Sequence, residues 1–189
     1  MNKNTMTAVI GITILVVIAY FFFQYNRVEN TPGENDNRLA NKHLEDGNFD
    51  EALLVFNDVL AQFPDYKDAH LGKAITLMQM GDLKNSRPSF DKAIELDNNF
   101  AQAYANRGIL NDRTGNYEAA VKDYKKALEI EPEIAEGPGY IWRFLHNVSE
   151  RPPTIADRAI YIESELKKPE SERLLKIPEI DEQQRMYKQ

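Results

Sequence analysis

The sequence predicts an all-α protein in which a solenoid of helical hairpins follows one N-terminal membrane-spanning helix. Two observations predict this fold class. A long uncharged run near the N-terminus has the apolar character of a membrane span, and a pattern of glycine, small and aromatic residues recurs every 34 residues. A repeat of that length is typical of paired helices that stack on their neighbours.

The first 27 residues are predicted to be a membrane anchor. Residues 4–26 contain no charged side chain, and Met6–Phe23 is almost wholly apolar. A helix of that stretch would be about 27 Å long, close to the ~30 Å thickness of the hydrocarbon core of a bilayer. Tyr20 and Tyr25 lie near its end, where amphipathic rings favour the membrane interface. We therefore predict one transmembrane helix over about residues 6–25, with the lipid bilayer as its partner.

A cleaved signal peptide is the alternative for this segment. Its apolar region would be shorter and would end in small residues, whereas this run ends in Tyr20, three phenylalanines, Gln24 and Tyr25, so an uncleaved anchor is favoured. The amino terminus and Lys3 precede the run, and Arg27 followed by acids comes after it. The positive-inside rule then favours a cytoplasmic N-terminus. In a bacterium this predicts a single-pass inner-membrane protein with a periplasmic domain, whereas in a eukaryotic cell or organelle the domain could face the cytosol.

The repeat begins after a polar linker, residues 28–37, that contains Pro32 and Gly33. Three glycines are separated by 34 residues, and a small residue follows each after five positions, with an aromatic residue four positions further on. These sets are Gly47, Ala52 and Phe56; Gly81, Ser86 and Phe90; and Gly115, Ala120 and Tyr124. Because glycine readily ends a helix in the left-handed conformation, each set predicts a helical hairpin with a turn at the glycine.

Close packing within each hairpin is predicted from its small residues. Ala40, Ala74 and Gly108 of the first helices are expected to face the small residues of the second helices, with the aromatic ring beside them. Pro88 lies inside the second helix of the middle unit and removes a backbone donor, so we expect a bend or a local opening there.

The period and the spacing of alanine, aromatic residue and closing proline resemble the tetratricopeptide repeat. The resemblance covers units 33–66, 67–100 and 101–134, and it implies a helical solenoid that binds other proteins. Lys73 and Arg107 replace a usual leucine of the family, so we expect this position to be less buried here.

Residues 135–168 are predicted to form a degenerate capping hairpin, because a solenoid needs an atypical last unit. Its helices are expected at Tyr140–Val148 and from Thr154 to about Lys167, the second with an apolar stripe formed by Ile155, Ala159, Ile162 and Leu166. Capping is favoured over an aromatic binding site for Trp142, Phe144 and Tyr161. The charged tail, residues 169–189, is a short helix with Leu174, Leu175 and Ile177, an extended docked arm, or a solvated tail.

The resemblance also implies a partner-binding site, because the first helices of this family line a concave groove. The corresponding residues here are Asn37, Arg38, Asn41, Leu71, Gly72, Ile75, Gln79, Asn106, Ile109 and Arg113. Asparagine can both donate to and accept from an extended backbone, and the three aliphatic residues would form an apolar floor. The alternative is that these positions are ordinary helix surface.

Chaperone-tail binding is one subclass of the family, and it uses lysines and arginines in this groove to hold a carboxylate. Asn37, Asn41, Gly72, Gln102 and Asn106 stand at the corresponding positions. Because the basic pair is missing, the sequence does not favour binding of a chaperone C-terminus.

No pattern in the sequence predicts catalysis, a cofactor or a metal site. The three histidines, His43, His70 and His146, show no metal-ligand spacing, nucleotide-binding and nucleophile motifs are lacking, and there is no cysteine. Of 23 basic residues only two precede residue 28, so residues 28–189, which hold all 30 acids, have a formal net charge of −9. That charge opposes nucleic-acid binding.

The predicted function is therefore that of a membrane-tethered scaffold or adaptor, with a role in the assembly of a membrane or exported complex. The alternative is a structural solenoid that self-associates into a homo-oligomer. An enzyme subunit is a third class, which no residue constellation favours.

Overall fold

The computed structural model describes residues 13–18, 20, 32–136 and 153–176, and it divides into two compact units, Met1–Glu34 and Asn35–Gln189. In the first unit residues 13–18 are helical, and the large apolar side chains from Ile14 to Ile18 are 47–66% exposed. Within the described ranges no helix has both the length and the apolar character needed to cross a bilayer. Most of the predicted span, residues 6–12, 19 and 21–25, lies outside the described residues.

The second unit is built from α-helices that alternate with short turns. In the described part of the chain these are α1 (Glu34–Glu45, which starts one residue before the unit), α2 (Phe49–Gln62), α3 (Lys67–Gln79), α4 (Leu83–Leu96), α5 (Ala101–Arg113), α6 (Tyr117–Ile130) and α7 (Ile155–Leu166). Two short 3₁₀ helices, Pro132–Ala135 and Glu170–Glu172, follow α6 and α7 respectively. The predicted all-α helical-hairpin solenoid is confirmed.

Each hairpin turns at the glycine that the sequence indicated. Gly47, Gly81 and Gly115 have φ values of 78°, 81° and 79°, the left-handed conformation in which a side chain is strained. After each glycine, the next backbone N–H bonds back to a carbonyl of the first helix, as from Asn48 to His43 at 2.9 Å. This bonding satisfies carbonyls that a helix end would otherwise leave open.

The hairpins stack in chain order. Helix α3 packs against α2 and α4, α5 packs against α4 and α6, and α6 packs against α7. The first helices α3 and α5 also contact each other, as expected for the inner layer of a curved stack. Contact between first helices is thus observed for the second and third hairpins, and a groove along them stays a prediction.

Glycine and aromatic rings fit together at two places in this core. A Cβ added to Gly108 would lie 2.5 Å from Cδ1 of Tyr124, the aromatic residue of the same hairpin. A Cβ added to Gly72 would lie 2.2 Å from Cζ of Phe56, which belongs to the preceding hairpin. Both rings are completely buried. The predicted close approach beside the aromatic ring is thus present within the third hairpin and also between the first two.

Helix α4 continues through Pro88 without the local opening that the sequence suggested. Pro88 is exposed on this helix, so its ring does not disturb the core. As the sixth residue of the helix, Pro88 cannot donate to the carbonyl of Lys84, and the helix continues with that one bond missing.

Only the second helix of the predicted capping hairpin lies in the described part of the chain. It is α7, which buries Ile155, Ala159 and Ile162 and half-buries Leu166. Tyr140–Val148, with Trp142, Phe144 and His146, lies outside the described residues, as does Ile177 of the tail. Residues 173–176 are not helical, and of the alternatives considered for the tail they match the extended docked arm.

Candidate partner-binding surface

The residues predicted to line the groove fall into two groups by exposure. Six of them are buried in this structure: Asn37, Leu71, Gly72, Ile75, Asn106 and Ile109. Asn41 is half-buried, and Arg38, Gln79 and Arg113 are exposed. A partner can therefore touch only the second group without rearranging the protein.

The expectation of an accessible apolar floor has to be corrected. Leu71, Ile75 and Ile109 are at most 3% exposed and belong to the continuous hydrophobic core. Burial of a leucine or isoleucine side chain stabilises the fold by about 1.5–3 kcal/mol, so these residues serve stability in the structure described. Whether this face binds a partner remains a prediction, now restricted to its accessible members.

The asparagines of this face use their amide donors within their own helices. Asn41 Nδ2 donates to the carbonyl of Asn37 at 3.0 Å, and Asn106 Nδ2 donates to that of Gln102 at 2.8 Å. Asn37 is only 6% exposed, and its Oδ1 accepts no hydrogen bond from the described residues. A buried acceptor without a donor costs about 1–3 kcal/mol, so the Asn37 side chain opposes the stability of the first hairpin in this structure.

A row of exposed polar side chains marks the C-terminal ends of the first helices. Glu45, Gln79 and Arg113 are 34 residues apart, and all three are exposed. Sequence reasoning named Gln79 and Arg113 but missed Glu45, although the repeat period alone would have found it. These three residues are referred to below as the polar row.

An ion-pair network centred on Arg107 extends from the third hairpin to the second. Arg107 donates to both carboxylate oxygens of Asp123, at 2.9 and 2.7 Å, and to Asp91 at 2.9 Å. Asn111 donates to Asp123 at 2.9 Å and accepts a bond from Arg87. Asp123, and after it Asp91, hold the pKa of the Arg107 guanidinium above its ordinary value. The half-buried position expected for Arg107 is thus stabilised by charge rather than by hydration.

A second, more deeply buried ion pair joins the third hairpin to α7. Arg158 Nε and Nη2 donate to the two carboxylate oxygens of Asp112 at 2.7 and 2.8 Å. Tyr124 Oη also donates to Asp112, at 3.2 Å. The side chains of Arg158 and Asp112 are 4% and 5% exposed. This bidentate pair fixes α7 as the cap on the last repeat.

The N-terminus of α7 is closed by a reciprocal capping box. Thr154 Oγ1 accepts from the backbone N–H of Asp157, and the Asp157 carboxylate accepts from the backbone N–H of Thr154 at 2.9 Å. The box fixes where α7 begins and so helps to place Arg158 one turn later.

The described part of the chain contains no cluster of histidine, cysteine or acidic residues that could hold a metal ion. His70 is half-buried, and its Nε2 lies 2.7 Å from the carbonyl oxygen of Pro64. Burial lowers the pKa of His70, in opposition to that hydrogen bond. Its position in the fold indicates a structural role.

Comparison with known proteins agrees with this geometry. Two family models of the tetratricopeptide repeat match the chain, one over residues 43–108 and one over residues 101–134. DnaJ homolog subfamily C member 3 of Bos taurus is 29% identical over 136 residues, which are 70% of this chain and 27% of that protein. Tetratricopeptide repeat protein 12 of Homo sapiens is 28% identical over 103 residues, which are 54% of this chain and 15% of that protein. The chain thus spans less than a third of the length of these relatives.

Solved structures show the same fold. The first tetratricopeptide-repeat domain of Spaghetti (RPAP3), bound to the HSP90 peptide SRMEEVD, has a TM-score of 0.58 at 18% identity, over 72% of this chain and 94% of that one. The Arabidopsis OM64 tetratricopeptide-repeat domain has a TM-score of 0.52 at 18% identity, over 54% and 84% respectively. The glycine turns, the ring-on-glycine packing and these matches lead to one conclusion: residues 43–134 of this chain are tetratricopeptide repeats.

Proposed function

We propose that this chain is a membrane-tethered scaffold that holds another protein against the inner face of its tetratricopeptide repeats. The observation that carries the proposal is the polar row, in which Glu45, Gln79 and Arg113 repeat along that face and are all exposed. A periodic row of polar groups suits an extended ligand, because its backbone also offers hydrogen-bonding groups at regular intervals.

The charge of the chain bears on the kind of partner. The HSP90 peptide bound to the similar Spaghetti domain contains two glutamates and ends in aspartate. In this chain Gly72, Gln102 and Asn106 stand where tail-binding domains of the family are expected to have basic residues. The repeats and tail also carry a formal charge of −9, which repels acidic segments. The proposed partner is therefore a neutral or basic segment of another protein.

Site-specific photo-crosslinking tests the binding face. A photoreactive amino acid at Gln79 should form a discrete adduct with a partner in intact cells, and the same residue at Lys122 should not. Lys122 is also exposed, but it lies on the second helix α6. Arg113→Ala, which removes the polar head group of one member of the row, should reduce the Gln79 adduct, whereas Lys122→Ala should leave it unchanged. Equal crosslinking from both positions would refute binding at the inner face.

Membrane tethering is the second part of the proposal. Residues 6–25 would be the anchor, and the exposed apolar side chains from Ile14 to Ile18 support that assignment, since lipid would cover them. Tethering confines scaffold and client to one surface and raises their effective concentration, which suits assembly of a membrane or exported complex. The proposed orientation in a bacterium is a periplasmic repeat domain.

Two measurements test the anchor and its orientation. The full chain should stay in the membrane pellet after an alkaline carbonate wash, and a chain that starts at residue 28 should not. In spheroplasts of a bacterial host, external protease should digest the repeat domain. Digestion only after lysis would place that domain on the cytoplasmic side. It would refute the proposed orientation but not the proposed membrane anchor.

Self-association is a second candidate, favoured by the exposed aliphatic side chains of the first hairpin. Leu39 is 47% and Leu54 is 62% exposed, although leucine is mostly buried in single domains. Light scattering in detergent should then give a mass that rises with concentration for the natural chain and stays monomeric for Leu54→Lys. A monomeric mass for both proteins would exclude this candidate.

A further inference from the structure

Residues 173–175 lie along α7 and are held there through their backbone; we refer to them as the C-terminal strap. The N–H of Leu174 donates to Glu165 Oε2 at 2.8 Å, and the carbonyl of Leu174 accepts from Tyr161 Oη at 2.5 Å. The carbonyl of Leu175 accepts from Arg158 Nη2 at 2.8 Å. Three backbone groups of two adjacent strap residues are thus bound by three side chains of one helix.

The spacing of these side chains places them on one side of α7. Arg158, Tyr161 and Glu165 are at positions i, i+3 and i+7, which align along a helix face. They supply one acceptor for the N–H of Leu174 and one donor each for the carbonyls of Leu174 and Leu175. We call these three residues the α7 backbone-binding face.

The α7 backbone-binding face depends little on the side chains of the strap. Leu174 is 66% exposed, so its side chain contributes no burial. Leu175 is half-buried and packs against the core, so one aliphatic side chain is the only apolar anchor on this stretch. Arg173 additionally caps α7 by donating to the carbonyls of Lys168 and Leu166 at 3.0 and 3.1 Å.

Contacts outside the strap hold the face in place. The Asp112 carboxylate fixes the guanidinium of Arg158 through two hydrogen bonds. Lys168 Nζ donates to Glu165 Oε1 at 2.6 Å. The Leu174 N–H first, and Lys168 second, lower the pKa of Glu165, so its carboxylate is charged and ready to accept. A face positioned by other residues keeps its geometry when the strap leaves, and pre-organisation of this kind favours binding.

We propose that the α7 backbone-binding face is a second peptide-binding site, separate from the polar row, that the strap occupies in the free protein. Its ligand is an extended segment of another protein with one aliphatic side chain at the place of Leu175. A tethered strap acts as a competitor at an effective concentration on the order of millimolar. The site is therefore closed until a partner displaces the strap or until the strap is drawn away.

The two leucines of the strap provide a matched pair of variants. Leu175→Asp places a charge at the half-buried anchor and should release the strap, whereas Leu174→Asp makes the same change at an exposed position and should not. The probe is a fluorescein-labelled peptide with the sequence of residues 170–177, ESERLLKI. Binding is measured by fluorescence anisotropy to the full chain in detergent, and hydrogen exchange of the Leu174 amide reports whether the strap is in place.

The proposal expects the labelled peptide to bind Leu175→Asp at least about ten-fold more tightly than it binds the natural chain or Leu174→Asp, because the tethered competitor has gone. Adding Tyr161→Phe to Leu175→Asp should weaken binding, because it removes one donor from the face. A chain with residues 173–175 replaced by Gly-Ser-Gly should behave like Leu175→Asp. If Leu175→Asp folds poorly, this second variant takes its place in the binding measurement. The proposal is overturned if the strap opens and the peptide still does not bind, or if Tyr161→Phe has no effect. It is also overturned if the amide of residue 174 stays protected both in Leu175→Asp and in the chain with the replaced strap.

Discussion

Loss of one partner of the buried Asp112–Arg158 ion pair should destabilise the protein strongly. Both side chains are about 95% buried, and Asp112 accepts from Tyr124 as well as from Arg158. Asp112→Ala therefore leaves a buried guanidinium without its carboxylate. Breaking such a pair costs about 3–5 kcal/mol in the free energy of unfolding. That is a large part of the ~5–15 kcal/mol that stabilises a typical domain.

A second ion pair between the third hairpin and α7 provides the control. Lys125 Nζ, on α6, lies 2.5 Å from Glu163 Oε1 on α7, but these side chains are 57% and 37% exposed. Exposed pairs contribute about 0–1 kcal/mol, so Lys125→Ala should change the free energy of unfolding little. Both pairs join the third hairpin to α7, so a difference between the two losses in unfolding free energy reports the effect of burial.

Replacement of both buried partners should recover much of the loss. In Asp112→Leu with Arg158→Met neither charge remains in the core, and apolar replacements of this kind are often neutral or stabilising. Urea unfolding followed by circular dichroism measures these proteins together with the single variants Asp112→Leu and Arg158→Met, and the resulting double-mutant cycle gives the coupling energy. The reasoning would be refuted by a loss below about 1 kcal/mol for Asp112→Ala, or by single-variant losses that simply add in the double variant.

Three further predictions concern other elements. Gly108→Ala should lower the unfolding free energy by about 1–3 kcal/mol, because the new methyl group would meet the ring of Tyr124. Thermal unfolding measures this loss, and an unchanged midpoint would show that the ring can move. Because the folded state lowers the pKa of His70 below its ordinary value of 6.5, the stability that depends on this residue should be complete above that pH and fall as the pH drops through the folded pKa. His70→Gln should remove that part of the acid sensitivity in urea titrations, and an identical pH profile would contradict the assignment. Thr154→Ala should cost about 1 kcal/mol by opening the capping box, seen as faster hydrogen exchange in the first turn of α7 but not in α5.

The hairpins were predictable because their determinants are local. A left-handed glycine, a small residue five positions later and an aromatic residue four positions further on each report conformation or packing within one 34-residue unit. The same reasoning found Gly108 beside Tyr124. It did not find Gly72 beneath Phe56, because that contact joins two hairpins and depends on how they stack.

The candidate site was less predictable, because helical spacing does not say what covers a helix face. Ile75 and Ile109 have the spacing of groove residues, but both are buried in the core. Arg158 looked like one basic residue among many, since its carboxylate partner is 46 residues away. The sequence left three alternatives for the tail, of which the strap is one. Hydrogen bonds to the backbone of the tail depend little on its residue types, so they produce no recognisable sequence pattern.

The long sequence separation between Asp112 and Arg158 has a consequence for the growing chain. Each hairpin makes its contacts within one repeat or with the next, so the hairpins can form in order as they leave the ribosome. The carboxylate of Asp112 has no guanidinium until 46 more residues have been added, which takes roughly 2–9 s at the usual rate of synthesis. Until then the carboxylate has the hydrogen bond from Tyr124 of the same hairpin, and the bidentate pair forms when Arg158 arrives. The third hairpin is therefore the last of the three to gain all its contacts, and α7 supplies those contacts from the C-terminal side.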